Sequence, residues 1–109
     1  NVQTLGTPEG GWSIGLKKPF STSGAMIGTL ELENKSVVTS GVYERFFEQN
    51  GQLYHHILDP RTGYPLDNEL DSVTIISADS IDGDIWTTLM YGMGVEKGYV
   101  HARILKLFL

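Results

Sequence analysis

Residues 40–65 read SGVYERFFEQNGQLYHHILDPRTGYP, and the fold follows from how this stretch is divided. Two runs, 43–49 and 52–58, flank Asn50-Gly51. Asn-Gly is the strongest short-range hairpin signal, because a type I′ turn needs positive φ at both central residues. The spacing therefore predicts an antiparallel ribbon whose second strand delivers His55 and His56 to opposite faces. Only one of the two can serve a given site. Beyond them, Pro60, Gly63 and Pro65 each break regular structure, so residues 59–72 are predicted as loop. The segment HHILDPRTGYP, residues 55–65, holds two imidazoles, a carboxylate, two prolines, a threonine hydroxyl and a glycine. That is more special chemistry than a structural turn requires, and it marks a candidate site.

Outward from this ribbon, residues 12–16 alternate as a short strand after the loop GTPEGG, and residues 25–33 alternate as a half-buried one. Asn34-Lys35 predicts a tight turn that returns residues 36–39 as the antiparallel partner of the preceding strand. Trp12 is expected to be buried on its strand. Downstream, residues 73–77 form a short apolar strand. From Ser80 the period changes: Ile81, Ile85, Thr88/Leu89 and Gly92 fall three and four apart, as on the buried face of a helix, with Trp86 in the core and Gly94 as its end. Residues 95–109 are expected to add a second helix running into a terminal strand.

With 109 residues the chain forms one domain at most, and 40% hydrophobic with 19% charged residues is ordinary globular composition. Disorder, collagen and coiled coil are thereby disfavoured. A formal net charge of −5 argues against nucleic acid, since the nearest approach to a basic stripe is Lys17-Lys18, read as a solvated strand end. The absence of cysteine removes disulfides and thiolate metal sites. No apolar run reaches the roughly 18–20 residues of a membrane span. The chain begins at Asn1 without an initiator Met, as a piece of a longer protein would.

Three clusters could carry chemistry. In the first, His56 stands with Asp59 and Thr62: an imidazole at a strand end beside a rigid loop suits a general base. It equally suits a packed histidine beside a plain Asp-Pro turn. In the second, Asp84 and Thr88 lie four apart on one helix face and offer hard oxygens of the kind Mg²⁺ accepts. Alternatively Thr88 bonds back to the Asp84 carbonyl, and Asp84 caps the helix start with Asp82. The third is Thr39-Ser40-Gly41, whose small side chains let a flat or phosphorylated ligand approach the backbone, as ordinary turns also do.

Taken in order, the 40–65 segment, a short strand, and Gly-Asp-x-x-x-Thr entering a helix that ends at Met93-Gly94 resemble the FAD:protein FMN transferases, the ApbE family once described as thiamine-biosynthesis lipoproteins. The motif His-x-x-Asp-Pro-x-Thr-Gly-x-Pro, residues 56–65, carries the resemblance most specifically. It implies an α+β fold, an antiparallel-rich sheet with one or two packed helices, in which residues 1–109 are the C-terminal portion of a larger flavin-transferase domain. It implies Mg²⁺-dependent transfer of FMN from FAD to a Thr or Ser hydroxyl of an acceptor protein, with release of AMP. His56 falls on the motif base, Thr62 on a FAD contact, and Asp84 and Thr88 on the metal pair, while Ser40 and Gly41 border the ligand. Such enzymes are commonly extracytoplasmic and lipid-anchored to the membrane through an N-terminal segment. Alone, the present portion is expected to be inactive and to oligomerise through exposed apolar surface. A FAD-binding module and a Mg²⁺-dependent FAD pyrophosphatase yielding FMN and AMP are the alternatives. Val42, where the family usually has a polar residue, the sequence Gly83-Asp84-Ile85 before Trp86, and the tail from Tyr99 depart from the family pattern.

Overall fold

A computed structural model describes residues 1–43 and 45–105, with side chains to residue 100. Among the described residues seven strands precede one long helix: β1 (Val2–Gln3), β2 (Trp12–Lys17), β3 (Met26–Leu32), β4 (Ser36–Gly41), β5 (Phe46–Gln49), β6 (Gln52–His55), β7 (Ser72–Ser77) and α1 (Ser80–Leu105). The strands make three antiparallel units, β1-β4-β7, β2-β3 and β5-β6. This is the α+β, antiparallel-rich architecture expected.

The β5-β6 ribbon forms as Asn50-Gly51 predicts. Phe46 pairs with His55 and Gln49 with Gln52, and both turn residues take positive φ, 53° and 76°. Phe47 and Tyr54 stack across the ribbon with ring centroids 5.0 Å apart.

The expected hairpin between β3 and β4 does not form. Asn34 does turn the chain, with φ 49°, but Lys35 is then captured by Thr4. The Thr4 amide donates to the Lys35 carbonyl at 2.8 Å, and the Lys35 amide donates to the Thr4 hydroxyl at 2.9 Å. These bonds hand β4 to β1, with Val2 opposite Val37, and leave β3 to pair with β2, Leu32 opposite Trp12. The β2-β3 ribbon is largely exposed rather than half-buried. Trp12 is exposed too, its indole N–H donating to the Leu5 carbonyl at 3.1 Å.

α1 packs across β4 and β7. The buried cluster is Val42, Ile57, Val73, Ile75, Met90 and Tyr91, with Leu66, Leu70, Trp86 and Met93 around it. Burial of side chains such as Ile75 and Met90 contributes about 1.5–3 kcal/mol each. Val42 is apolar because it belongs to this core. The helix face, however, is the reverse of that expected. Gly83, Thr87, Met90 and Tyr91 meet the sheet, whereas Ile81, Ile85 and Leu89 are 72%, 52% and 49% exposed. Both stripes are apolar, so periodicity alone could not say which one the strands would take.

Gly94 ends the first helical segment, at φ 81° and ψ 178°, a conformation open essentially to glycine alone. Helix resumes at once, because a Glu69 carboxylate oxygen accepts the Val95 amide at 3.1 Å. The expected terminal strand falls partly on residues 106–109, outside those described. Among the described residues no helix is long and apolar enough to cross a membrane.

Candidate functional site

The motif loop is built on β6. His55, the last residue of that strand, is buried, and His56 turns the other way and is exposed, as strand alternation requires. The two rings hold opposite tautomers. A carbonyl oxygen can only accept, so His56 Nδ1, 3.3 Å from the Arg45 carbonyl, is the donor, and in the neutral ring the lone pair falls to Nε2. His55 Nε2 donates to the Leu66 carbonyl at 2.8 Å, and its Nδ1 accepts the Ile57 amide at 3.2 Å. Of the two, only His56 presents a basic nitrogen to the outside.

Beyond β6 the loop folds on itself. The Asp59 amide donates to the Tyr64 carbonyl, and the Gly63 amide to the Asp59 carbonyl, both at 2.8 Å. The Thr62 hydroxyl accepts the Tyr64 amide at 3.2 Å. Arg61 forks onto Asp59 through Nε at 3.1 Å and Nη2 at 2.9 Å. Its side-chain hydrogen bonds, then its backbone N–H, hold the Asp59 carboxyl below the usual carboxylate range. The same pair raises the arginine. Asp59 thus serves the loop, and Thr62 is left at its exposed tip, bordering a cleft of about 520 Å³ between the loop and the Gly94 break.

Asp84 and Thr88 are both exposed on α1, and neither side chain has a partner among the described residues. Asp84 lies beyond the first turn, where Asp82 sits, so it does not cap the helix. The bond to the Asp84 carbonyl comes from Thr87, at 3.1 Å, rather than Thr88. Thr87 is fully buried and accepts the Ser40 hydroxyl at 2.7 Å, which ties β4 to the helical turn bearing Asp84 and Thr88. Sequence alone could not separate Thr87 from Thr88, two adjacent threonines, without knowing which face meets the sheet.

Ser40 therefore spends its hydroxyl on the helix. A Cβ on Gly41 would lie 2.5 Å from the Tyr43 ring, so the space glycine leaves there is taken by Tyr43. Both residues lie within β4, paired with Val73 and Ser72 of β7. On the other side β1 reaches only Ser36 and Val37, so no strand borders the Ser40-Gly41 backbone there among the described residues.

The arrangement brings Ser40 to the Asp84–Thr88 turn, while no hydrogen bond among the described residues joins His56 or Thr62 to that turn. His56, Asp84 and Thr88 line neither the cleft beside Thr62 nor those along the His55 side of the ribbon, β2 and β7. Asp84 and Thr88 fit a Mg²⁺ ion as a partial shell: one carboxylate and one hydroxyl, one turn apart and unengaged, where such ions take one or two protein carboxylates and complete their shell with water and phosphate oxygens. No group of three or more His, Cys, Asp or Glu able to enclose a metal occurs among the described residues.

A second cleft, about 580 Å³, lies on the His55 side of the ribbon, lined by Phe20, Tyr54, Tyr64, Tyr91, Asp67 and Asp71 among others. Burial, then the fields of Asp71, Asp67 and Glu69, push the Tyr91 phenol up.

An α+β layer that displays His56, the pair Asp84–Thr88 and the loop DPRTGYP carries the features on which the sequence resembles the ApbE family. The sequence profile of the ApbE family matches residues 1–107, and the chain belongs to that family. It is 68% identical over 103 residues to an FAD:protein FMN transferase of Klebsiella pneumoniae, covering 94% of this chain and 31% of that protein. An ApbE protein crystal structure from Thermotoga maritima superposes with a TM-score of 0.68 at 44% identity, covering 75% of this chain and 26% of the other. The flavin transferase ApbE from Vibrio cholerae gives 0.71 at 32% identity, covering 89% and 30%. The chain thus spans about a third or less of the length of these relatives.

Proposed function

We propose that the protein bearing this chain transfers FMN from FAD to a threonine or serine hydroxyl of an acceptor protein and releases AMP. The observation that carries the reading is the His56 tautomer: Nδ1–H is spent on the Arg45 carbonyl, so Nε2 stands ready to take a proton from an approaching hydroxyl. The acceptor oxygen attacks the phosphorus on the FMN side of the pyrophosphate. A new P–O ester bond forms as the bridging P–O bond breaks, and AMP departs with that electron pair. The hydroxyl proton passes to His56 Nε2.

Thr62, at the tip of a loop held rigid by Asp59 and Arg61, offers its side chain to FAD. Ser40 and Gly41, half-buried and buried on β4, would border the ligand from behind the Asp84–Thr88 turn that the Ser40 hydroxyl braces. Asp84 and Thr88 would hold Mg²⁺, which would neutralise charge on the phosphate oxygens of FAD as AMP departs. The relatives named as FAD:protein FMN transferases support this reading. A module that only holds FAD would gain little from an outward base. By the same resemblance we place the parent protein outside the cytoplasm on a lipid anchor, an assignment that cell fractionation tests.

Product analysis distinguishes transfer from hydrolysis. The full-length protein is incubated with FAD and Mg²⁺, with and without a candidate acceptor. AMP release with FMN covalently on the acceptor is expected; free FMN and AMP in both cases would make it a pyrophosphatase instead, and intact bound FAD would leave a binding module.

A further inference from the structure

His55 is adjacent to the proposed base, faces away from it, and is buried at 8% exposure. Its ring uses both nitrogens inside a single loop: one donates to the Leu66 carbonyl, the other accepts the Ile57 amide. Between the same two residues the Leu66 amide donates to the Ile57 carbonyl at 2.9 Å. Two hydrogen bonds therefore close the base of the 57–66 loop, and the imidazole that makes one of them also holds the Ile57 amide on its own side. The ring also stands edge-on to Tyr91, with centroids 5.9 Å apart at 80°, and Tyr91 is among the most deeply buried side chains. The loop is tied through His55 to the core.

We infer that His55 is a positioning residue, a clamp that fixes the loop carrying Thr62 and the strand end carrying His56. For what it positions, the inference rests on the transferase reading above; the clamp itself does not. Two physical points carry it. First, an apolar side chain of similar size could fill the space against Tyr91, but it would leave the Ile57 amide and one Leu66 carbonyl contact unmet, and unpaired buried groups are costly. Second, His56 follows directly on the strand. Its one orienting bond among the described residues, Nδ1–H to the Arg45 carbonyl, is 3.3 Å long, toward the weak end of the range. A shift of the His55 backbone breaks that bond first and releases the tautomer that exposes Nε2. Small misplacements of reacting groups can cost around a hundredfold in rate.

His55→Phe and His55→Gln in the full-length protein separate the possibilities. Phenylalanine keeps the ring against Tyr91 and removes both nitrogens, whereas glutamine retains an N–H able to reach the Leu66 carbonyl. Expected for His55→Phe is a fall of roughly tenfold or more in kcat/KM for FMN transfer with a raised KM for FAD, and faster hydrogen exchange at the Ile57 amide. His55→Gln should recover most of the activity. Wild-type rate and KM in a folded His55→Phe would overturn the inference. So would a kcat in both variants that falls only with the folded fraction at constant KM. If the unmodified protein transfers no FMN, the reading of the reaction fails, while Ile57 exchange, read without substrate, still decides the clamp: an unchanged rate in His55→Phe refutes it.

Discussion

Asp59 and Arg61 show how much the motif invests in holding its own loop. One Asp59 oxygen accepts both the Arg61 amide, at 2.9 Å, and Nε, while the other accepts Nη2. Because this pairing lowers the carboxyl below its ordinary value of 3.8, the carboxyl binds its proton more weakly folded than unfolded. Its contribution is present above 3.8 and lost as the pH falls through the lower folded value. In NMR titrations the Arg61 amide resonance should move with a midpoint below 3.8; a midpoint at or above it would contradict the pairing. The carboxylate in this segment was visible in sequence as a companion of His56. Its partner was not, because nothing in the spacing Asp-Pro-Arg says whether a carboxylate faces a substrate or the guanidinium two residues on. The histidine pair was more legible: period-two alternation alone separated His55 from His56, and the structure adds the opposite tautomers.

At the scale of elements, the contact of α1 with β4 has a measurable signature at Gly83. A Cβ there would lie 2.7 Å from Val38 Cγ2, and Val38 is 1% exposed on the central strand. Alanine would gain up to about 1 kcal/mol of helix propensity, but crowding a well-packed core costs about 1–3 kcal/mol, and a β-branched neighbour has little room to turn away. Gly83→Ala should therefore lower stability by about 1 kcal/mol in denaturant unfolding, and a stabilised variant would mean that the helix does not sit this close. The Asn50-Gly51 ribbon was readable because its signal is local. The β3-β4 hairpin expected from Asn34-Lys35 does not form because the deciding partner, Thr4, lies 31 residues from Lys35, and the buried face of the helix is not legible because apolar residues stand on two of its sides. Long-range choices of that kind leave no mark in a local pattern.

Taken whole, the molecule is thin and open, with extents of 50 × 36 × 20 Å and a radius of gyration of 15.0 Å, above the roughly 13 Å usual for a domain of this length. Ile81, Ile85 and Leu89 on α1, and Met26 and Ile27 on β3, are exposed. Apolar side chains gathered on the outer side of a sheet-packed helix mark a surface that is ordinarily covered, and the chain spans about a third or less of its relatives. Residues 1–109 prepared alone should self-associate, and a clean monomer at high concentration by size-exclusion with light scattering would contradict this. Asp84 and Thr88 lie on that same uncovered side of α1, which explains why the sequence motif named the pair while this portion alone does not enclose a site around it. The central claim is that an outward imidazole drives transfer to a hydroxyl, and intact-mass measurement on the full-length protein tests it most directly. Incubated with FAD, Mg²⁺ and an acceptor, the protein should add the mass of FMN to the acceptor, and His56→Ala should lose that addition while still binding FAD. Undiminished addition by His56→Ala would contradict the account.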